Sequence, residues 1–407
     1  MKIIEFEVDV NRLLTGMAQL ANFSRINVYQ ENEDIFEALD FDDERVFLEP
    51  ALIYNRTENH KGVCGLPIEQ LLWGALAEKE RPSRLEVQTC AEGWLKMPNW
   101  GYFKTELSST MMNLNWHSPG ILPTLTLGSE LLPATFYPEV VLPNSSIRIT
   151  RNRPNLYRDL GAHLNEDVSI TYNKWAPFLV KAFGIMQEVV PEYCKLIELS
   201  TKEISLFSSD NQNSFASMAH FGTCFINVDD PDYDEVFFVD DIAHQCGHTI
   251  LYAITLTSSE LFVLAPDTPL VTLGNNTVAG EHRSLYEAFH GLFTYTTAVH
   301  CLDQSLQLGL FKGKQIREAI GRIGFYMRKF NYDLRQLSMA GLFAAQGLVY
   351  YNMFKSSYNL MLNKYRMLPP VDYSTQPYTF NLKIFIAENP NYESLNEKAL
   401  LAYGLLL

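Results

Sequence analysis

The sequence predicts an α+β protein in which a smaller N-terminal α+β domain precedes a mainly helical domain. Between residues 84 and 150, short runs that favour β-strands are interrupted by Pro and Gly. Between residues 155 and 370, apolar residues recur mostly at helical spacing. The chain has 407 residues, which is enough for more than one domain with a large core. We therefore predict domains at 1–150 and 151–370, followed by a C-terminal tail segment at 371–407.

The N-terminal domain begins with an alternation of apolar and acidic residues over 2–10, which is typical of a strand. Helical spacing follows and is clearest at 68–77. The predicted strands of this domain then lie at 85–89, 124–127, 136–142 and 146–150. We expect this domain to contribute to substrate recognition.

The C-terminal domain follows a predicted hinge at 152–155 and is dominated by helices. A strand at 223–228 precedes the helix that carries two histidines. The predicted helices lie at 175–190, 191–207, 236–256, 281–308, 313–331 and 334–366. Pro369 and Pro370 end the helical block, and the loop at 274–280 is a candidate lid or a plain surface turn.

Charge and composition exclude several classes of partner. The net charge of −15 and the absence of a basic cluster argue against nucleic-acid binding. No apolar run approaches the ~20 residues that a membrane helix needs, and the start does not resemble a signal peptide. Six cysteines without paired spacing indicate reduced thiols. We expect a cytoplasmic protein without a membrane partner, and a homodimer stays open.

A cluster of histidines marks the candidate site, since six of the nine lie between residues 220 and 300. His244 and His248 are four residues apart, so on a helix they share a face, with side chains ~6 Å from each other. Two imidazoles so placed can both reach one divalent ion at ~2.1 Å. The flanking residues are apolar and predict a buried helix. Asp240 and Asp241 would orient the second nitrogen of His244 or, equally, complement the helix dipole. A chance pattern is the alternative.

The predicted third ligand is His290, in the helical run at 281–308. Glu287 lies about one turn earlier and His282 about 80° around the helix, so both stay as alternatives. His300 is a weaker candidate for the same reason, and nothing fixes the approach of His220.

Arg283 lies seven positions before His290, on nearly the same predicted helical face. Three imidazole ligands leave coordination positions open, as an Fe(II) centre that binds a 2-oxo acid and dioxygen requires. Arg283 would pair with the distal carboxylate of that co-substrate, since its planar guanidinium matches a carboxylate. A salt bridge to Glu281 or Glu287 is the alternative.

From Trp175 to Cys301 the sequence resembles the HExxH-motif peptide-modification family, which includes iron and 2-oxoglutarate-dependent peptide β-hydroxylases. Four segments carry the resemblance: a predicted helix that ends near 189–193, the Ser-rich run at 214–227, the histidine motif, and His-Arg-Ser-Leu-Tyr-Glu-Ala-Phe-His-Gly at 282–291. The resemblance implies Fe(II) held by His244, His248 and His290, with 2-oxoglutarate as co-substrate and a peptide as substrate. Arg283 matches the arginine that precedes the family's later histidine.

Gln245 stands where this family has the motif glutamate. In a zinc hydrolase that glutamate is the general base, and an amide cannot take a proton at neutral pH. An oxygenase needs no such base, and Gln245 would instead hydrogen-bond a bound carboxylate or water.

The sequence therefore predicts an Fe(II) and 2-oxoglutarate-dependent dioxygenase that oxidises an unactivated carbon of a peptide or small peptide-like natural product. The spacing of Glu287 and His290 also suits a dinuclear iron oxidase. An inactive metal-binding or scaffold protein is the third hypothesis, and zinc is the alternative metal.

Overall fold

The computed structural model confirms a mixed α+β fold with 52% helix, in which an N-terminal β-sheet region precedes a largely helical part. It describes residues 2–3, 6–56, 66–257, 260–273, 282–366, 371–373, 375–376 and 379–390. The candidate lid at 274–280 lies outside the described residues. Among the described helices, none is long and apolar enough to cross a membrane.

The described elements follow one another along the chain with most strands in the first half. The strands are β1 (Lys2–Ile3), β2 (Phe6–Glu7), β3 (Arg84–Gln88), β4 (Trp94–Met97), β5 (Gly101–Lys104), β6 (Met111–Asn115), β7 (Thr124–Leu127), β8 (Glu130–Leu132), β9 (Thr135–Pro138), β10 (Arg148–Ile149), β11 (Glu203–Phe207), β12 (Phe215–Ala216) and β13 (Thr223–Asn227). The α-helices are α1 (Val10–Glu31), α2 (Glu33–Glu37), α3 (Glu44–Phe47), α4 (Pro50–Arg56), α5 (Ile68–Leu72), α6 (Leu156–Asp159), α7 (Val168–Val189), α8 (Pro191–Ser200), α9 (Glu235–Ile254), α10 (Leu285–Gln307), α11 (Lys314–Gln336), α12 (Ala345–Lys364) and α13 (Leu382–Glu388).

The chain forms two compact units, each assembled from separate stretches. We call them the sheet unit (Leu14–Pro177 and Glu198–Pro231) and the helical unit (Met1–Leu13, Phe178–Ile197 and Asp232–Leu407). The predicted domain boundaries at about residues 150 and 370 stay a prediction. A division of the chain by its internal contacts does not show which segments can fold on their own.

The sheet unit contains two antiparallel sheets with strand orders β3-β6-β7-β8 and β4-β5-β9. Along β3, Leu85 and Val87 are buried while their neighbours point outward, as a strand with one covered face requires. Leu85 lies opposite Leu114, and Val87 opposite Met112. These four side chains pack with Trp73 in one apolar core. The alternation that predicted strand 85–89 therefore reflects this core.

A third sheet of the same unit has the order β10-β11-β13-β12, in which β11 pairs in parallel with β10 and β13. Both β11 and β13 are buried along their whole length. The predicted helix at 191–207 is wrong in its second half, because α8 ends at Ser200 and β11 follows. A short apolar run does not distinguish a buried strand from a buried helix, and here pairing with neighbouring strands decides the conformation.

Four charged side chains are buried together in the sheet unit. The Nζ atom of Lys96 lies 2.6 Å from Glu203 and 3.6 Å from Glu49. Arg148 lies 2.6 Å from Glu49 and 3.4 Å from Glu203. Each of the four side chains is at most 6% exposed. Removing one partner would leave an uncompensated buried charge, which is far more costly than losing an exposed pair.

In the helical unit, α10 packs against both α9 and α11, and α12 packs against α10 and α11. The predicted start of a helix at 281 is wrong, because a capping box formed by Ser284 and Glu287 starts α10 at Leu285. The predicted helix at 334–366 is also interrupted, since α11 ends at Gln336 and α12 begins at Ala345. The connection between them contains Gly341 with a φ of 85°, a left-handed conformation that favours glycine and is not helical.

Replacing Lys96 with Met should lower the free energy of unfolding of the sheet unit by about 3–5 kcal/mol, because Glu49 and Glu203 then share one buried cation. All five tryptophans (Trp73, Trp94, Trp100, Trp116 and Trp175) lie in this unit, so tryptophan emission during urea unfolding reports its stability. Lys79→Met, at a side chain that is 83% exposed, is the matched control and should change little. Equal effects of the two variants would contradict a structural role for the cluster.

His220 should make the sheet unit less stable in mild acid. The Thr223 hydroxyl donates to Glu203, so it accepts from Nδ1 of His220, 2.9 Å away. Burial lowers the pKa of His220 from 6.5 to about 4. Between those values the unfolded chain binds a proton that the folded chain does not, so stability falls by about 2 kcal/mol from pH 7 to pH 5. His220→Asn should remove this loss in urea unfolding series across that range.

Glu92 should have the opposite effect to His220 on the stability of the sheet unit between about pH 7 and pH 5. Burial, followed by the charge of Asp167, raises the pKa of Glu92 from 4.5 to about 7. As the pH falls from 7 towards 4.5, the folded chain binds a proton that the unfolded chain does not. Glu92 therefore stabilises the folded state increasingly over this range. Glu92→Gln should make the unit more acid-sensitive, whereas His220→Asn should make it less so. If both variants changed the pH dependence of the unfolding free energy in the same direction, these roles of His220 and Glu92 would be ruled out.

Candidate functional site

The candidate site lies in the helical unit, where α9 presents two histidines on one face. Asp234 caps the start of α9 by accepting from the backbone N–H of Val236. His244 and His248 are one turn apart, and their ring centroids are separated by 5.1 Å. Both rings are half-buried, so one edge of the pair reaches solvent. The helical spacing predicted from sequence is therefore present.

Close approach of α9 to α10 brings the third histidine to this face. A Cβ atom added to Gly247 would lie 3.0 Å from the hydroxyl oxygen of Thr297 and 3.3 Å from the methyl carbon of Thr294. The Thr297 hydroxyl also donates to the Ala243 carbonyl at 2.9 Å, which ties the two helices together. Because Gly247 has no side chain, Thr294 and Thr297 of α10 can pack against the backbone of α9.

His290 of α10 meets His248 across this contact. Their Nδ1 atoms are 3.2 Å apart, and their rings are nearly parallel, at an interplanar angle of 17°. Two imidazoles bound to one ion at ~2.1 Å have nitrogens about 3.0–3.4 Å apart, so the separation fits a shared metal. It equally fits an N–H···N hydrogen bond between two neutral rings.

The three rings are neutral at pH 7. Burial lowers the pKa of His248 to about 4. The pKa values of His244 and His290 fall well below the ordinary histidine value, again chiefly through burial. Neutral imidazole is the form that binds metal. Among the described residues, Nδ1 of His244 and Nε2 of His290 have no hydrogen-bond partner although both atoms are buried.

Four tyrosines surround the histidines. Tyr252 and Tyr286 lie beside His290, with ring centroids 4.9 and 4.2 Å from it. Tyr295 and Tyr326 lie 6.2 and 5.9 Å from His244. These rings limit the access of water to the imidazoles. Polar interactions made there are therefore stronger than in water.

The aspartates of α9 do not orient His244 as the sequence suggested. Asp240 forms a buried salt bridge of 2.8 Å with Arg322 of α11. Asp241 accepts from the side-chain amide of Gln245 at 3.1 Å. Gln245 is therefore present and buried beside the pair, with its N–H group engaged on its own helix. Its predicted role towards a bound carboxylate stays a prediction.

Arg283 precedes α10 and does not lie on its helical face, because that helix begins two residues later. Its two terminal nitrogens form hydrogen bonds of 2.9 and 2.7 Å with the two carboxylate oxygens of Asp333. Asp333 is buried and lies on α11, 50 residues away in sequence. The observed partner is therefore Asp333 rather than Glu287, whereas Glu281 lies outside the described residues and the pairing with a co-substrate carboxylate stays a prediction.

The other candidate ligands have different environments. The Glu287 carboxylate accepts from the backbone N–H and the hydroxyl of Ser284, so it completes the helix cap. His282 is exposed before the helix begins. His300 lies ten residues beyond His290, about 15 Å along the helix axis. His220 belongs to the sheet unit and pairs with Thr223.

Sequence reasoning missed the contribution of α11. Two of its residues contact α9, since Arg322 forms a salt bridge with Asp240 and the ring of Tyr326 lies against His244. A third, Asp333, pairs with Arg283 in the segment before α10. A detectable signal was present, because charged residues occur at helical spacing on a face that would otherwise be apolar.

Over the described residues, no group of three or more His, Cys, Asp or Glu side chains is arranged to hold a metal ion. The candidate site has the His248–His290 pair with His244 beside it. The facing Nδ1 atoms of His248 and His290 fit a metal by their donor chemistry, but the orphaned Nε2 of His290 is the nitrogen that does not face His248, and the complete three-histidine set stays a prediction.

No known family model matches the chain, and a comparison with curated proteins also finds no match. The resemblance to the HExxH-motif family rests on short motifs and stays a prediction.

Gly247→Ala should lower the free energy of unfolding of the helical unit by about 1–3 kcal/mol, because the added methyl group meets Thr297 and Thr294. The matched control is Gly184→Ala on α7, where an added Cβ atom meets nothing within 4 Å. That variant should be more stable by about 0.5–1 kcal/mol, since alanine favours helix. Thermal unfolding followed by far-ultraviolet circular dichroism measures both, and a stabilised Gly247→Ala would refute the close contact.

Proposed function

We propose that this chain is a non-haem Fe(II) oxygenase that uses dioxygen and 2-oxoglutarate to oxidise an unactivated carbon of a peptide or peptide-like substrate. The observation that carries the proposal is the approach of two neutral imidazoles, His248 and His290, to 3.2 Å, with His244 one helical turn from His248. The substrate class rests on the sequence resemblance alone.

His244, His248 and His290 would hold the ion. An Fe(II) ion held there would allow dioxygen to act as the oxidant of an unactivated C–H bond, with 2-oxoglutarate supplying the other two electrons that reduction of dioxygen requires. The protein contributes imidazoles that are already deprotonated at pH 7, so binding a cation displaces no proton from them. Tyr252 and Tyr286 shield the His290 side from water.

Gln245 supports an oxygenase over a hydrolase. A hydrolytic zinc site needs a carboxylate next to the first histidine to take a proton from water. Here the position holds an amide whose N–H group donates to Asp241. Neither end of that side chain can act as a general base at neutral pH, so the first histidine lacks the partner that peptide hydrolysis uses.

The dinuclear iron alternative is weaker, because Glu287 would have to give up its role in the cap of α10 to bind a metal. A scaffold function is the second candidate. It is favoured by the hydrogen-bond interpretation of the His248–His290 contact and by the absence of a three-ligand group among the described residues.

Metal titration separates the oxygenase from the scaffold. Under anaerobic conditions, the chain should bind one equivalent of Co(II), seen as ligand-field absorption, or of Fe(II). His248→Ala and His290→Ala should each weaken binding by at least roughly tenfold, because a ligand is lost. The control His282→Ala, at an exposed residue of the segment before α10, should bind as the wild type does.

Addition of 2-oxoglutarate to the Fe(II)-loaded chain should produce a visible charge-transfer band that neither component gives alone. Binding of less than ~0.1 equivalent of metal after loading would favour the scaffold. Metal binding without the 2-oxoglutarate-dependent band would leave a metal site but overturn the proposed co-substrate.

A further inference from the structure

A small cavity lies in the sheet unit, between the end of β3 and the segment that leads into α6. Its volume is about 160 Å³, which corresponds to roughly five water molecules at ~30 Å³ each. We call it the arginine cavity, because Arg153 and Arg158 both line it. Cys90, Ser109 and Asn155 also belong to its wall. None of these residues is part of the helical unit that contains the histidines.

Hydrogen bonds hold the walls of the arginine cavity in place. The backbone N–H of Ser109 donates to the carbonyl oxygen of Cys90 at 3.0 Å. The backbone N–H of Arg153 donates to the sulfur of the same cysteine. Pro154, which also lines the cavity, fixes one backbone dihedral between the two arginines. The segment that carries the guanidinium groups is therefore tied to the end of β3 at the cavity itself.

The wall of the cavity carries positive charge and no negative charge. Among the described residues that line it, none is Asp or Glu. Burial raises the pKa of Cys90, so its thiol is uncharged at pH 7. The whole chain has a net charge of −15, so a concave surface lined only by cations is a local reversal of sign. Such a surface concentrates anions from solution.

The guanidinium group of Arg153 is only weakly committed within the fold. It is half-buried, and the hydrogen bond that it forms among the described residues is a long one, 3.5 Å to the carbonyl oxygen of Ala162. Its charge also acts on Glu92. Burial and the charge of Asp167 nevertheless raise the pKa of Glu92 to about 7. That carboxyl group is therefore only partly ionised at pH 7, and it neutralises Arg153 incompletely.

Arg158 uses one edge of its guanidinium group for its neighbour in sequence. Its Nε and Nη2 atoms both lie 3.0 Å from one carboxylate oxygen of Asp159. The Arg158 side chain is 47% exposed, so this pair contributes little to stability. The Nη1 atom takes no part in that contact and can donate to a ligand in the cavity.

We propose that the arginine cavity binds the phosphate group of a small ligand, held by the guanidinium groups of Arg153 and Arg158. One guanidinium group is enough for the two oxygens of a carboxylate, whereas a phosphate monoester presents three oxygens and a charge of about −1.5 to −2 to the two cations. The hydroxyl of Ser109 provides an uncharged donor in the same wall. This site is additional to the proposed oxygenase and does not depend on it.

Calorimetric titration of the full chain with inorganic phosphate, at constant ionic strength, tests the site. The wild type should bind one equivalent. Arg153→Gln and Arg158→Gln should each weaken binding by roughly tenfold or more, as expected for the loss of a charge-assisted hydrogen bond. Arg84→Gln is the matched control, because Arg84 is exposed on β3 of the same unit and does not line the cavity. It should bind phosphate as the wild type does.

Two further probes identify the ligand chemistry. Acetate carries one carboxylate and should bind at least roughly tenfold more weakly than phosphate, because it cannot engage both guanidinium groups. Glycerol 3-phosphate distinguishes the two sources of the phosphate group. Tighter binding of this ester indicates a phosphorylated small molecule, and tighter binding of inorganic phosphate indicates the free ion; both results support the site.

A second pair of variants tests the charge of the cavity without changing either arginine. Ala91 is exposed and lines the cavity. Ala91→Glu adds a carboxylate beside the guanidinium groups and should weaken phosphate binding by roughly tenfold or more. Ala91→Gln adds nearly the same volume without charge and should have a much smaller effect. This pair keeps the test valid if tryptophan emission shows that an arginine variant is unfolded.

The inference fails if the wild type shows no saturable binding of phosphate at millimolar concentrations. It also fails if Arg153→Gln and Arg158→Gln bind phosphate as tightly as Arg84→Gln, or if Ala91→Glu and Ala91→Gln behave alike. Acetate binding as tight as phosphate binding would overturn the assignment to phosphate. None of these outcomes changes the metal titration of the histidine cluster, so the site and the proposed oxygenase fail separately.

Discussion

The helical unit depends on the close contact between α9 and α10 beside Gly247. At that point the two backbones approach until the hydroxyl of Thr297 reaches the Ala243 carbonyl of the facing helix. A larger side chain at 247 would separate the helices by part of a van der Waals diameter. Because the Nδ1 atoms of His248 and His290 are only 3.2 Å apart, the same displacement would remove their contact. Packing and the candidate chemistry therefore share one constraint.

The charges around this contact are arranged so that the imidazoles stay neutral. Asp240 is occupied by Arg322, and Asp333 by Arg283, so neither carboxylate is available to stabilise a protonated histidine. Burial then decides the protonation state, and it favours the uncharged ring. The two salt bridges thus connect helices and pair both carboxylates with guanidinium groups.

Part of this organisation was predictable from the sequence. The spacing of His244 and His248 and the apolar residues around them identified a buried helix with a two-histidine face, and the fold class followed from the same periodicity. The partner of Arg283 was not predictable, because Asp333 is 50 residues away and only helix packing brings them together. The start of α10 could have been predicted from Ser284 and Glu287, which have the spacing of a capping box. That cap leaves Arg283 outside the helix. The strand β11 was missed because burial on both faces removes the alternation that marks a strand.

The buried charge cluster of the sheet unit also constrains the order in which the chain can fold during synthesis. Its members come from four separated stretches, at Glu49, Lys96, Arg148 and Glu203. A ribosome releases Glu49, Lys96, Glu139 and Arg148 before it releases Glu203. In the folded chain Arg148 lies 2.6 Å from Glu49 and 3.9 Å from Glu139, whereas the nearest carboxylate to Lys96 is that of Glu203, at 2.6 Å. Lys96 therefore gains its nearest acidic partner only when β11 emerges, together with the strand that joins β10 to β13.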